Sequence, residues 1–111
     1  MSGVHRFVGQ VLIQVGLVVV RGRSMQPTYV DGDRLLVGYG MRPVAGRVHV
    51  VRLPDGPDGP RPIAVKRLTR RAGDGWWAER DNPLEGVDSW SLGAIPARDV
   101  LARVLLRLPR S

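Results

Sequence analysis

The sequence contains no cysteine, which excludes a disulfide framework, a thiol nucleophile and cysteine-ligated zinc or iron–sulfur sites. Histidine is nearly as scarce. His5 and His49 are the two present, and neither stands in a ligand spacing such as H-x-x-x-H, so no metal and no cofactor are expected. Long apolar runs are missing as well. Phe7 to Val20 is mostly apolar, but Gln10 and Gln14 interrupt it and Gly9 and Gly16 weaken it as a helix; its 14 residues fall short of the roughly 20 that a membrane-spanning helix needs. No small-x-small cleavage site follows, so a secretory signal is not expected. Repeats and coiled-coil periodicity are absent, and 111 residues accommodate one small domain with a single core.

Lysine is the most informative scarcity. Seventeen basic residues include sixteen arginines and a single lysine, Lys66. A bias toward arginine accounts for the sixteen but not for the exception. With 10 acidic residues the formal charge is +7, which favours acidic partners. The arginines are nevertheless scattered, with small clusters at Arg67, Arg70, Arg71 and at Arg103, Arg107, Arg110. They form no aromatic-interleaved or helix-periodic stripe of the kind nucleic-acid readers show, and a nucleic-acid partner is not expected.

Past residue 16 the apolar residues come in short β-branched bursts punctuated by glycine and proline, which predicts a mostly β fold. Candidate strands are Leu17 to Arg21, Asp33 to Tyr39, Arg47 to Leu53, Ile63 to Arg70, Trp76 to Arg80 and Val100 to Leu108. Residues 54–62, with turn-formers at nearly every position, read as a mobile loop joining two antiparallel strands. The polar, glycine-punctuated stretch Asp81 to Pro96 reads as an ordered excursion before the last strand. Residues 1–16 form a separate N-terminal segment, either a short helix or a membrane-interfacial piece using Arg6, Phe7 and Leu12. The expected location is cytoplasmic, with peripheral membrane contact open through that segment.

Two residues stand out for chemistry. Along the strand around position 66, Ala64, Lys66 and Leu68 project to one face and Val65, Arg67 and Thr69 to the other. Apolar neighbours on its own face would lower the Lys66 pKa toward the range of a general base, which arginine cannot enter. The plain alternative is a lysine that snorkels from a strand edge. Ser24 lies in Arg21-Gly22-Arg23-Ser24-Met25-Gln26-Pro27-Thr28, directly after a predicted strand. There its hydroxyl can project at a strand end with its own N–H free to point at a developing oxyanion. The plain alternative is a serine that caps a short turn.

The motifs together resemble the signal peptidase I family of serine/lysine proteases. The resemblance rests on Gly22-Arg23-Ser24-Met25-Gln26-Pro27-Thr28 followed by Asp31-Gly32-Asp33-Arg34, on Val65-Lys66-Arg67, and on Asp81-Asn82-Pro83 through Asp88-Ser89 with Gly93-Ala94-Ile95-Pro96. It spans about residues 17–108. It implies a single antiparallel β domain, residues 17–111, of the type shared with SOS-repressor autoproteases. Ser24 is then the nucleophile, and its backbone N–H an oxyanion donor. Lys66 is the general base, and Gly22, Met25, Pro27, Thr28, Asp81, Asn82, Asp88 and Ser89 support the site. The implied activity is removal of a leader or propeptide through an acyl-enzyme, from an extended segment of a precursor protein with small residues before the cut. Such a segment adds alongside edge strands.

Four positions depart from the family pattern. Gly22 stands where many members have a serine, Arg80 replaces the usual glycine, Gly86 stands where a serine often orients the lysine, and Trp90 replaces an arginine that commonly pairs with the aspartate at Asp88. These departures bear on lysine orientation and motivate a second reading, a catalytically weakened peptide-binding domain of the same fold. A third is a basic adaptor for nucleic acid or a membrane surface. The short chain without an anchor helix is similar to the maturation proteases of nickel-type superoxide dismutase.

Overall fold

The computed structural model describes residues 14–110. Seven strands, β1 (Gln14–Val19), β2 (Arg34–Tyr39), β3 (Val48–Val51), β4 (Ala64–Ala72), β5 (Gly75–Glu79), β6 (Ile95–Pro96) and β7 (Val100–Arg107), form one sheet in the order β1-β2-β7-β3-β4-β5-β6. Every pairing is antiparallel. A four-residue helix, α1 (Ser89–Leu92), precedes β6, and a 3-10 turn at Ala97–Asp99 leads into β7. No helix among the described residues is long and apolar enough to cross a membrane.

All six expected strands occur, with shifted ends. The first begins at Gln14, not Leu17, so the expected break at residue 16 falls inside β1. Residues 14–19 pair with β2 from Gln14↔Tyr39 to Val19↔Arg34, and this ladder tolerates the glutamine and Gly16 that weaken the stretch as a helix. The rest of the expected N-terminal segment, 1–13, lies outside the described residues. β6 was not expected. Two residues ending in proline carry no alternation to read, and such a strand is tolerated at a sheet edge, where no N–H is required.

Alternation sets the core. In β2, Leu35 and Val37 are fully buried and pack with Met25, Val48, Val50 and Val104. A second cluster gathers Val51, Leu53, Leu68, Trp76, Ala78 and Ile95. Because Val50 joins the first cluster and Val51 the second, β3 is covered on both faces and all four of its residues are buried. Each such side chain stabilises the fold by about 1.5–3 kcal/mol when fully buried. The two clusters share β3 and so tie the halves of the sheet together. Where β5 meets β6, Gly75 is required by contact: a Cβ there would run into the Ile95 carbonyl oxygen.

Residues 54–62 join β3 to β4 and fold back on themselves. Gly56 and Gly59 exchange backbone hydrogen bonds at 2.7 and 3.2 Å. The Arg61 Nη1 donates to the carbonyls of Pro54 at 2.7 Å and Asp55 at 3.2 Å. This turn leads into Arg61, Pro62 and Ile63, which line a groove together with residues of β1.

Candidate active site

Lys66 sits mid-strand in β4, where the burial pattern follows the expected alternation: Lys66 and Leu68 are buried, while Val65, Arg67 and Thr69 are partly open. It retains 3 % of its surface. Its Nζ lies 3.2 Å from the Ser24 Oγ. Burial holds the Lys66 pKa below its usual value because desolvation disfavours the ammonium; Asp88 works against that shift and Arg80 with it. A lysine in this setting surrenders its proton more readily than a surface lysine does.

Ser24 reaches this lysine from the turn that follows β1. Val20 continues the β1–β2 ladder, donating to the Asp33 carbonyl at 2.8 Å. The Gly22 N–H then donates to Asp31 Oδ1 at 2.7 Å. Met25, with 1 % of its surface exposed, plugs into the first core cluster and anchors the turn from beneath. Backbone bonds from Gln26 to Arg23 and from Tyr29 to Met25 close it; the Ser24 N–H takes no part in them. Pro27 stiffens the stretch, joined to Gln26 by a cis peptide bond.

The stretch after β5 clamps the turn from the other side. The Asn82 N–H donates to the Ser24 carbonyl at 2.8 Å and its Nδ2 to the Arg23 carbonyl at 3.0 Å. Thr28 Oγ1 donates to Asp81 Oδ2 at 2.6 Å, and Arg67 grips the same carboxylate with Nε and Nη2 at 2.9 and 2.8 Å. Burial alone would raise the Asp81 pKa, but the Arg67 and Thr28 hydrogen bonds outweigh it and hold the carboxyl below its usual range. Nucleophile turn, β4 and the 81–82 stretch are thereby fixed to one another.

Asp88 and Ser89 are buried too, but they support rather than touch the pair. Asp88 caps α1, its Oδ1 accepting the Trp90 N–H at 3.0 Å, while Oδ2 accepts the Arg80 N–H at 3.1 Å. Ser89 Oγ accepts the Ala78 N–H at 2.9 Å, which ties it to β5. Gly86 approaches most closely: a Cβ on it would lie 3.0 Å from the Ser24 Cβ. Its φ is 81°, a left-handed conformation that glycine adopts without strain. Trp90 turns outward, 73 % exposed, with its ring edge-on to Trp77.

Beside the pair opens a groove of about 660 Å³. Two chain segments, 17–21 and 61–66, supply most of its lining, with Met25 and Val87. β1 is an edge strand, and the β3–β4 ladder ends at Ala64, so residues 61–63 lie beyond it. An extended chain entering this groove can therefore meet backbone groups that the sheet leaves unpaired.

The structure brings Ser24, Lys66, Gly22, Met25, Pro27, Thr28, Asp81 and Asn82 to one place, with Asp88 and Ser89 one layer behind. Arg80 is the residue that sequence reasoning undervalued. Read there only as a replaced glycine, it is the Asp88 partner, with Nε 3.5 Å from Oδ2. The signal was present in the coincidence of a gained arginine at 80 and a lost one at 90.

The Peptidase S24-like family model matches residues 9–88. No curated protein matches the chain. The match covers Ser24, Lys66 and the stretch that holds them together.

Proposed function

The chain belongs to the Peptidase S24-like family, and on that premise we propose that it is a serine endopeptidase of the signal-peptidase type, removing a leader or propeptide from a precursor. The observation that carries the reading is the 3.2 Å contact between the Lys66 Nζ and the Ser24 Oγ, made by a lysine with almost no access to water. Neutral Lys66 takes the Ser24 proton as Oγ bonds to the scissile carbonyl carbon. The Ser24 N–H supports the negative charge that develops on the carbonyl oxygen. As the carbon–nitrogen bond breaks, the Lys66 ammonium returns that proton to the departing amine, leaving an ester on Ser24. Lys66 next deprotonates a water molecule, whose oxygen attacks the ester carbonyl; Ser24 leaves with the proton and the acid product is released.

The groove accounts for substrate form. An extended segment adds along residues 17–21 and 61–63, held by its main chain, with side chains limited by Gly86 and the apolar lining. The motif resemblance favours small residues just before the cut and two residues earlier. Similarity to the maturation proteases of nickel-type superoxide dismutase makes such a precursor the first substrate to try.

A panel of leader and propeptide sequences, incubated with the protein and read by mass spectrometry, tests the proposal. Cleavage at a single bond by the wild type and none by Ser24→Ala is the expected result. Equal cleavage by Ser24→Ala overturns it, and saturable binding without cleavage by the wild type favours the peptide-binding alternative instead.

A further inference from the structure

Arg80 is the first residue beyond β5, at the start of the stretch that closes over Ser24 and Lys66. Its side chain works in three directions. Nε approaches Asp88 Oδ2 at 3.5 Å. Nη1 donates to the Glu85 carbonyl at 3.4 Å and also to that of Gly86. Its own N–H donates to Asp88 Oδ2 at 3.1 Å. The Gly86 it grips borders both members of the pair: a Cβ there would lie 3.0 Å from the Ser24 Cβ and 3.8 Å from the Lys66 Nζ. The family's usual partner for Asp88 is missing, because position 90 holds an outward-facing tryptophan. The guanidinium arrives from the opposite end of the same stretch.

We infer that Arg80 is a positioning residue for Lys66: by holding the Gly86 carbonyl and pairing with Asp88 it fixes the stretch that borders Ser24 and Lys66. This rests on the peptidase reading of the site. An unpaired carboxylate buried beside a lysine favours the ammonium, and a guanidinium on that carboxylate removes the effect while adding a repulsion of its own. The directions agree, since Asp88 raises the Lys66 pKa and Arg80 lowers it.

Other groups around Lys66 do not substitute. Ser24 faces it from the turn and carries no charge. His49, its register partner on β3, is fully buried, with Nδ1 2.9 Å from the Arg47 carbonyl and Nε2 3.2 Å from the Val44 N–H. A carbonyl only accepts and an N–H only donates, which fixes a neutral ring with its proton on Nδ1; burial holds its pKa below the usual value. Arg67 projects to the other face, onto Asp81.

The single lysine makes the test direct. Labelling lysine with carbon-13 at Cε gives one side-chain resonance whose titration reports Lys66 without substrate or turnover. Arg80→Gln and Arg80→Met both remove the charge while keeping most of the stem. In each variant that gives a folded spectrum the Lys66 midpoint is expected to move up by about one pH unit. Adding Asp88→Asn to either is expected to bring it back toward wild type. An unmoved midpoint in the folded single variants overturns the inference and leaves the peptidase reading intact, as does an upward shift that Asp88→Asn fails to reverse. An upward, reversible shift in a protein that cleaves no peptide upholds the inference about Lys66 and counts against the peptidase reading alone.

Discussion

Gly86 lies so near Ser24 that it leaves no room for a side chain between them: a Cβ at position 86 would stand 3.0 Å from that of Ser24. A serine at this position, where the family often places one to orient the lysine, cannot enter here without pushing Ser24 away. Left-handed backbone at Gly86 adds strain for any side chain.

Gly86→Ser is therefore expected to lower cleavage at least tenfold, and to destabilise the fold by about 1 kcal/mol. Steady-state kinetics and thermal unfolding on the same preparation check both. A gain in rate would show that the native site lacks an orienting hydroxyl that it has room to accept.

Lys66→Met is expected to abolish cleavage and stabilise the protein. Burial lowers the folded-state pKa of Lys66 below 10.5, so between that lowered value and 10.5 the unfolded chain binds the extra proton and stability rises with pH. Below this window the full cost of burying the ammonium is present. At pH 7 the methionine variant is expected to gain about 1–2 kcal/mol, and its advantage to shrink as the pH rises toward 10. Denaturant unfolding at several pH values measures this, and a variant less stable than wild type at every pH would contradict it.

Asp81→Ala breaks the clamp that joins Thr28, Arg67 and the turn bearing Ser24. A cost of about 2 kcal/mol is expected from losing charge-assisted hydrogen bonds. The loss in kcat should exceed any rise in KM, because the misplaced group is the nucleophile and not the groove. The Asp81 pKa is held below 3.8, so the wild-type advantage is fully present above that value and disappears as the pH falls through the lowered one. An Asp81→Ala protein with wild-type kcat would remove the clamp from the catalytic machinery.

The sequence made the two central residues legible for different reasons. Lys66 stood out by being the single lysine, and the alternation of β4 put it on a buried face as expected. Ser24 was visible through Gly22, Pro27 and its place after a strand, although a capping serine would look the same in isolation. Pairing them needed the family's motif order, because 42 residues separate them and β2, β7 and β3 lie between β1 and β4 in the sheet. Strand ends were less legible. Val20 keeps a ladder bond after β1 formally stops, and Gln14 pairs although the polar side chain breaks the apolar run. The role of Arg80 was legible only as a coincidence, an arginine gained at 80 and one lost at 90, since only folding brings residues 80 and 88 together across a loop that also carries Gly86. The groove, too, has no contiguous signature, because the two segments that supply most of its lining are distant in the chain.

Lys66→Arg is the substitution that separates a proton-accepting amine from a cation. Arginine keeps the charge and most of the length but stays protonated. With a peptide that the wild type cleaves, the decisive measurement is turnover by Lys66→Arg beside wild type across pH 6 to 9. Wild-type rates are expected to climb as the pH passes upward through the lowered lysine pKa, with the folded Lys66→Arg protein inactive at every point. Full turnover by Lys66→Arg, or a flat wild-type profile, would contradict a general base at position 66.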